Sequence, residues 1–205
     1  KNMLKRYYRL IVVLLFVMGS MVATADLVDL EKQLVEISER NKESAIDLLE
    51  RTVNINSGTM NHEGVKAVAD VFAAEFEALG LKTKWHDMSE VDRAGHLFAE
   101  TRGVGGGRCL LLIGHLDTVF EADSPFQTFT RDGDHAAGPG VNDMKGGDVV
   151  ILYALKALKE LGVLDDLNLI VALIGDEEKS GSPKAISRYH LIEASKRCDI
   201  ALGFE

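Results

Sequence analysis

The pattern of hydrophobic and polar positions predicts alternating helices and strands along most of the chain. Apolar residues recur at helical spacing among charged residues over 29–53, which predicts an amphipathic helix or a pair of helices. The same spacing predicts a helix over 61–79, and short apolar runs at 81–86 and 97–100 predict strands. The glycine-rich stretch 103–107 predicts a hairpin turn, because a strand follows it and a helix does not.

Three later stretches, 109–113, 167–174 and 199–203, are continuous apolar runs without polar alternation. Such runs are typical of strands that are covered on both faces. Helical spacing over 143–161 and 183–194 predicts a helix between each run and the next. This order predicts an α/β fold, with a mixed, largely parallel sheet flanked by helices, in which ligands bind at the carboxyl ends of the strands.

The first 25 residues have the order of a secretory signal peptide. Basic residues without any acidic one precede the apolar run 10–18, and Ala-Thr-Ala at 23–25 offers a cleavage site. A membrane anchor is the alternative, but the apolar stretch is shorter than the roughly 20 residues that a spanning helix needs. We therefore expect a signal peptide at 1–25 and an exported protein, periplasmic or secreted, without stable membrane association after cleavage.

Composition and charge exclude other classes of protein. The 205 residues are 46% hydrophobic and 27% charged, which is globular composition and argues against disorder. Lys and Arg number 23 against 32 Asp and Glu, giving a net charge of -9. No basic run follows the N-terminus, so nucleic acid is not expected as a partner.

The two cysteines, Cys109 and Cys198, lack the Cys-x-x-Cys spacing of a zinc knuckle or a redox pair. A disulfide between them would require their two strands to be neighbours. Since each cysteine begins an apolar stretch, the sequence favours two separate buried thiols.

Each buried strand is followed by side chains that can bind a metal ion or move a proton, and one more lies before the long helix. These candidate residues are His115, Asp117, Asp143, Glu177, Glu178 and Glu205. Singly, each has a simple structural role; Asp143 could cap the long helix, for instance. Together they gather negative charge at one sheet edge, which is costly unless cations neutralise it. One histidine with several carboxylates is a ligand set for zinc, manganese or cobalt.

Four segments extend this pattern: Gly-His-Leu-Asp-Thr-Val at 114–119, Gly-Pro-Gly to Gly-Gly at 138–147, Asp-Glu-Glu-Lys-Ser-Gly-Ser at 176–182, and Phe-Glu at 204–205. In order and approximate spacing they resemble the glutamate carboxypeptidase family of dinuclear zinc peptidases. Relatives of that family include acetylornithine deacetylase, succinyl-diaminopimelate desuccinylase and aminoacylases. The resemblance implies a zinc-dependent carboxypeptidase that hydrolyses an amide bond of a peptide or N-acyl amino acid, with a metal-bound water as the nucleophile. It would release a C-terminal amino acid such as glutamate.

The resemblance also implies a role for each candidate residue. Two zinc ions, or cobalt or manganese in their place, would be bound by His115, Asp143, Glu178 and Glu205, with Asp143 bridging the two. Glu177 would act as the general base. Asp117 would orient the imidazole of His115. A cis peptide bond is implied between Asp143 and Met144.

Parts of the family's pattern are not found in these 205 residues. The resemblance implies a smaller dimerisation domain and a final histidine ligand after the segment that ends at Glu205. We therefore expect 26–205 to be the N-terminal part of a catalytic domain, inactive by itself, with a homodimer only for a full-length form. The alternatives are a deacetylase or aminoacylase of the same family, and a non-catalytic exported protein that binds metal or peptide.

Overall fold

The computed structural model describes residues 28–101 and 107–205. The predicted signal peptide and most of the glycine-rich stretch lie outside the described residues. The chain divides into two units, Lys1–Gln33 and Leu34–Glu205. Of the first unit only 28–33 are described, and the sheet with all of its strands belongs to the second.

Helices and strands alternate much as the hydrophobic pattern predicts. The helices are α1 (Asp29–Val53), α2 (His62–Ala78), α3 (Lys145–Glu160), α4 (Lys184–Ser187) and α5 (Tyr189–Ser195). The strands are β1 (Lys82–Met88), β2 (Arg93–Glu100), β3 (Cys109–His115), β4 (Thr130–Asp132), β5 (His135–Ala137), β6 (Asn168–Ile174) and β7 (Ile200–Gly203). The helix predicted over 183–194 is divided into α4 and α5, and the β4–β5 hairpin was not predicted. Across 28–101 and 107–205, no helix has both the length and the apolar composition needed to cross a membrane.

Five strands form one mixed sheet in the order β1-β2-β6-β3-β7. The pairs β1–β2 and β2–β6 are antiparallel, whereas β3 pairs in parallel with both β6 and β7. In this register His115 lies opposite Ile174 of β6, and Ile113 lies opposite Gly203 of β7. The predicted α/β fold is confirmed, and the carboxyl ends of the three parallel strands meet at one edge.

Both faces of β6 are covered, which explains its continuous apolar run. Leu169, Val171 and Leu173 belong to the apolar core that includes Phe72 of α2 and Leu152 of α3. The alternate residues Ile170, Ala172 and Ile174 belong to a second apolar cluster, which includes Ala194 of α5. Because successive side chains of a strand point to opposite faces, each β6 side chain meets apolar neighbours.

Two predictions about the strands are wrong. The strands on either side of 103–107, β2 and β3, are separated by β6 and so do not form a hairpin. The run at 199–203 forms β7, but all four residues of this strand are exposed. Within the described part of the sheet β7 is an edge strand that pairs with β3 alone, so its apolar composition does not reflect cover on both faces.

The expectation of two separate thiols is also wrong, because Cys109 and Cys198 form a disulfide. The pairing of β3 with β7 brings their Cα atoms to 4.3 Å from each other. Asp199 supports the same junction, since its side chain accepts a hydrogen bond from the Cys109 N–H at 2.8 Å and its own N–H donates to the Cys109 carbonyl at 2.9 Å.

Candidate metal centre

The carboxyl ends of β3, β6 and β7 bring the predicted ligands together. His115 is the last residue of β3, Glu177 and Glu178 follow β6, and Glu205 follows β7. Two groups of possible ligands share the imidazole: His115 with Asp143 and Glu178, and His115 with Glu177 and Glu205. In each group the possible ligand atoms lie within 4.8 Å of one another. The other five histidines, all in described residues, lie outside both groups.

The imidazole of His115 is buried between two carboxylates. Its Nε2 lies 3.0 Å from Oδ1 of Asp143. Its Nδ1 lies 3.0 Å from the carbonyl oxygen of Asp117 and 3.4 Å from Oδ1 of the same residue. Burial acts to lower the pKa of His115, but the hydrogen bond and charge of Asp117, together with the charge of Asp148, outweigh it and raise this pKa to about 9. The pocket around the imidazole therefore favours positive charge.

Asp117 joins the ends of two strands through its carboxylate. Its Oδ1 accepts a hydrogen bond from the N–H of Glu177 at 3.0 Å, and its Oδ2 accepts one from the N–H of Glu178 at 3.2 Å. Its Oδ2 also accepts a hydrogen bond from the hydroxyl of Thr59 at 2.7 Å. Asp117 is fully buried. One carboxylate therefore holds both the imidazole and the backbone of the two glutamates.

Asp143 lies in the loop that leads into α3. The peptide bond between Asp143 and Met144 is cis, as the resemblance implied. The loop needs glycine at Gly140, where φ is 81°, in the left-handed region. The ammonium group of Lys145 is buried and donates hydrogen bonds of 3.0 Å to the carbonyl groups of Thr52 and Ile55, which attaches the start of α3 to the end of α1.

The acidic residues of the site crowd one another. Burial and the neighbouring charge of Asp143 raise the pKa of Glu178 above its usual value. Like charges held this close favour protonation of one of them, and a bound cation would remove that cost. Both cysteines of the chain are in the disulfide, so the site offers nitrogen and oxygen donors rather than thiolates. Such donors suit zinc, cobalt or manganese. The donor set therefore fits a divalent metal ion.

A cavity of about 220 Å³ opens beside these groups. Its polar lining residues include His115, Glu177 and Glu205, and its apolar ones include Leu191 and Phe204. Such a mixed lining can hold a small organic group next to the carboxylates.

Three residues near the site were not predicted from the sequence. Thr59 contacts Asp117, and the guanidinium of Arg188 forms an ion pair with the buried Asp176. Asp148 is fully buried in α3, its carboxyl oxygens have no hydrogen-bond partner among the described residues, and burial raises its pKa well above the usual value. Its position on the buried face of α3, one turn before Leu152, is the signal by which the sequence could have revealed it.

Comparison with known proteins identifies the family. Residues 111–204 match the family described as peptidase family M20/M25/M40. The chain is also 36% identical over 176 residues to carboxypeptidase G2 of Pseudomonas sp. (strain RS-16), a match that covers 84% of this chain and 41% of that protein. Residues 111–204 are a peptidase M20 family domain. The chain spans less than half the length of carboxypeptidase G2.

Two solved structures illustrate that the fold is shared. Human carnosine dipeptidase 1 matches with a TM-score of 0.71 and 19% identity, over 85% of this chain and 40% of that one. The M20 family metallo-carboxypeptidase Sso-CP2 from Sulfolobus solfataricus matches with a TM-score of 0.63 and 20% identity, over 78% of this chain and 37% of that one. At these identities the likeness concerns the fold alone, and it agrees with the mixed sheet and flanking helices.

Proposed function

We propose that the protein is a zinc-dependent metallopeptidase of the carboxypeptidase type, which hydrolyses an amide bond and releases a C-terminal amino acid such as glutamate. The observation that carries this proposal is the meeting of His115 with two groups of carboxylates at the carboxyl ends of parallel strands. The M20 family domain and the similarity to carboxypeptidase G2 support peptidase chemistry. The substrate would be a peptide or an N-acyl amino acid.

We assign His115, Asp143, Glu178 and Glu205 as ligands of two zinc ions. When bound, such ions polarise the amide carbonyl and lower the pKa of water. Different carboxylates on the two sides of His115, Asp143 with Glu178 in one group and Glu205 in the other, support two neighbouring sites, of which the imidazole would bind one ion. Asp117 keeps the imidazole oriented from its Nδ1 side, which leaves Nε2 facing Asp143.

Glu177 is the proposed general base. Its carboxylate is exposed at the cavity, while its backbone N–H is held by Asp117. An accessible carboxylate in this place can take a proton from the attacking water and deliver it to the leaving amine.

We also propose that the protein works outside the cytoplasm. The signal-like order of the first 25 residues supports export. The disulfide between Cys109 and Cys198 supports an oxidising compartment, since such bonds are rare in the cytosol. Export would be tested by sequencing the N-terminus of the protein from its source, where cleavage after Ala25 is expected and an intact N-terminus in the membrane fraction would contradict it.

The function is tested with the natural-length protein, by measuring its metal content and the amino acids it releases from peptides and N-acyl amino acids. We expect bound zinc, and turnover that a chelator abolishes and added zinc restores. Glu177→Gln should retain metal and lose about 10³-fold in kcat, the size of a general-base contribution. Glu63→Gln is the matched control, because Glu63 is exposed in the first turn of α2 and outside both ligand groups. Turnover that survives both the chelator and Glu177→Gln would overturn the proposal.

A further inference from the structure

The buried hydroxyl of Thr59 contacts the carboxylate that organises the proposed metal centre. It donates a hydrogen bond of 2.7 Å to Oδ2 of Asp117. Thr59 and Asp117 are 1% and 0% exposed, so this bond is shielded from water. A buried carboxylate oxygen depends strongly on its few donors, because water cannot replace a donor that is lost.

The chain holds Thr59 beside Asp117 by pairing its backbone with the segment after β3. The N–H of Thr118 donates to the carbonyl of Ser57 at 2.9 Å, and the N–H of Thr59 donates to the carbonyl of Thr118 at 3.2 Å. These bonds form a parallel bridge between Gly58 and Thr118. Gly58 packs so closely on the backbone of Phe120 and Glu121 that a side chain there would clash. The position of the hydroxyl is thus set by backbone pairing as well as by its own bond.

The same carboxylate serves three parts of the proposed site. It faces Nδ1 of His115, and it accepts the backbone N–H groups of Glu177 and Glu178. The hydroxyl of Thr59 also donates to this carboxylate, and it differs from the other groups in that Thr59 does not follow or end a strand. If its hydroxyl were removed, Oδ2 would retain only the bond from Glu178. The carboxylate would then be held less firmly, by its two backbone donors alone, and the imidazole and both glutamates depend on its orientation.

We infer that Thr59 is a positioning residue for the metal centre: it acts through Asp117 to hold His115, Glu177 and Glu178 in their metal-binding arrangement. This inference rests on the proposed function, since it requires that the site binds metal. It adds to that function a residue that lies far from every strand end in the sequence. The expected cost of losing it resembles that of losing other groups that orient metal ligands, about tenfold in metal affinity.

The test compares three variants of the full chain. Thr59→Val keeps the shape of the side chain and removes the hydroxyl, and Thr59→Ser keeps the hydroxyl. Thr52→Val is the matched control, since Thr52 is equally buried but its hydroxyl donates to carbonyl groups of its own helix, at Leu48 and Leu49. Zinc affinity is measured by competition with a chelator, the ligand geometry by the visible absorption of bound cobalt, and stability by urea unfolding without metal.

We expect Thr59→Val to weaken zinc binding about tenfold and to change the cobalt spectrum. Thr59→Ser should restore both within about twofold, and Thr52→Val should leave both unchanged even where it lowers stability. The inference is overturned if Thr59→Val binds zinc like the unsubstituted chain, if Thr59→Ser is as weak as Thr59→Val, or if Thr52→Val weakens binding equally. If the unsubstituted chain binds no zinc, the proposed function fails and this inference fails with it. If the chain binds zinc and Thr59→Val binds it equally well, this inference fails while the proposed function stands.

Discussion

Cys109 and Cys198 are joined across two neighbouring parallel strands, so that a covalent bond connects the beginnings of the strands whose other ends carry the proposed metal centre. β3 ends at His115, and β7 leads through Phe204 to Glu205. β7 is an exposed edge strand of the described sheet. The disulfide thus secures the least covered of the three strands that carry the site.

Replacing both cysteines, Cys109→Ala with Cys198→Ala, is expected to lower the free energy of unfolding by about 4 kcal/mol. The disulfide spans 89 residues, and closing a loop of that length restricts the unfolded chain strongly. Urea unfolding of the two proteins measures the difference. The unsubstituted protein in a reducing agent should behave like the double variant. Equal stability of the variant and the oxidised protein would contradict the prediction.

Gly147→Ala is expected to destabilise the protein by about 2 kcal/mol, the cost of forcing an added methyl group into a filled space. A Cβ at this position of α3 would collide with the backbone carbonyl of Phe204, next to Glu205. In an open helix the same change stabilises by up to about 1 kcal/mol, so the sign of the effect is diagnostic. Thermal unfolding gives the result. Gly107→Ala is the control, because a Cβ there meets no atom of the described residues within 4 Å. A more stable Gly147→Ala protein would disprove the packing described.

Between pH 6.5 and 5.5, His96 is expected to make the protein less stable as the pH drops. Burial lowers the pKa of His96, whose Nε2 lies 2.8 Å from the Ser187 carbonyl and whose Nδ1 accepts the Gly175 N–H at 3.1 Å. Adding a proton to Nδ1 would break the second bond. The unfolded chain binds this proton near pH 6.5 and the folded chain resists it, so stability is lost as the pH falls below that value.

The measurement is the free energy of unfolding against pH for His96→Gln and the unsubstituted protein. His96→Gln should be less stable overall but should lose about 1 kcal/mol less over this pH unit, since one proton contributes up to about 1.4 kcal/mol per unit. Other groups also contribute to the pH dependence: burial lowers the pKa of His86 to about 4, which costs stability as the pH falls, whereas the raised pKa of His115 acts in the opposite direction. His135→Gln, which changes an exposed histidine, should keep the full slope. An unchanged slope in His96→Gln would refute the assignment.

Asp176→Asn is expected to cost about 3 kcal/mol of stability, because it leaves part of a buried ion pair without its partner. Oδ2 of Asp176 accepts hydrogen bonds of 2.7 Å from the N–H of Gly181 and the hydroxyl of Ser187, and Oδ1 pairs with Arg188. Asp70→Asn is the control: it removes an exposed ion pair with Lys66, which is worth less than about 1 kcal/mol. Urea unfolding separates the two, and equal losses would show that the Asp176 network contributes little.

How far the sequence can be interpreted differs between local and distant features. The apolar run of β6 predicted a strand covered on both faces, and the structure agrees because each of its faces meets an apolar cluster. The same kind of run in β7 predicted the same cover and was wrong, because cover depends on which elements pack against a strand. The hairpin predicted from the glycine-rich stretch after β2 was wrong for a similar reason, since it depended on which strands become neighbours. Local composition suits a tight turn, but only strand order shows that β6 lies between β2 and β3.

The sequence by itself determined the class of fold, the chemistry of the strand ends and the family resemblance, because each depends on residues that are close together in the chain. His115 and Asp117, or Glu177 and Glu178, are informative as neighbours. The tertiary structure alone decided that Cys109 meets Cys198 and that Thr59 meets Asp117. These contacts result from the order of strands and the path of the connections between them. Periodicity does not encode that order, since many orders bury the same apolar residues equally well.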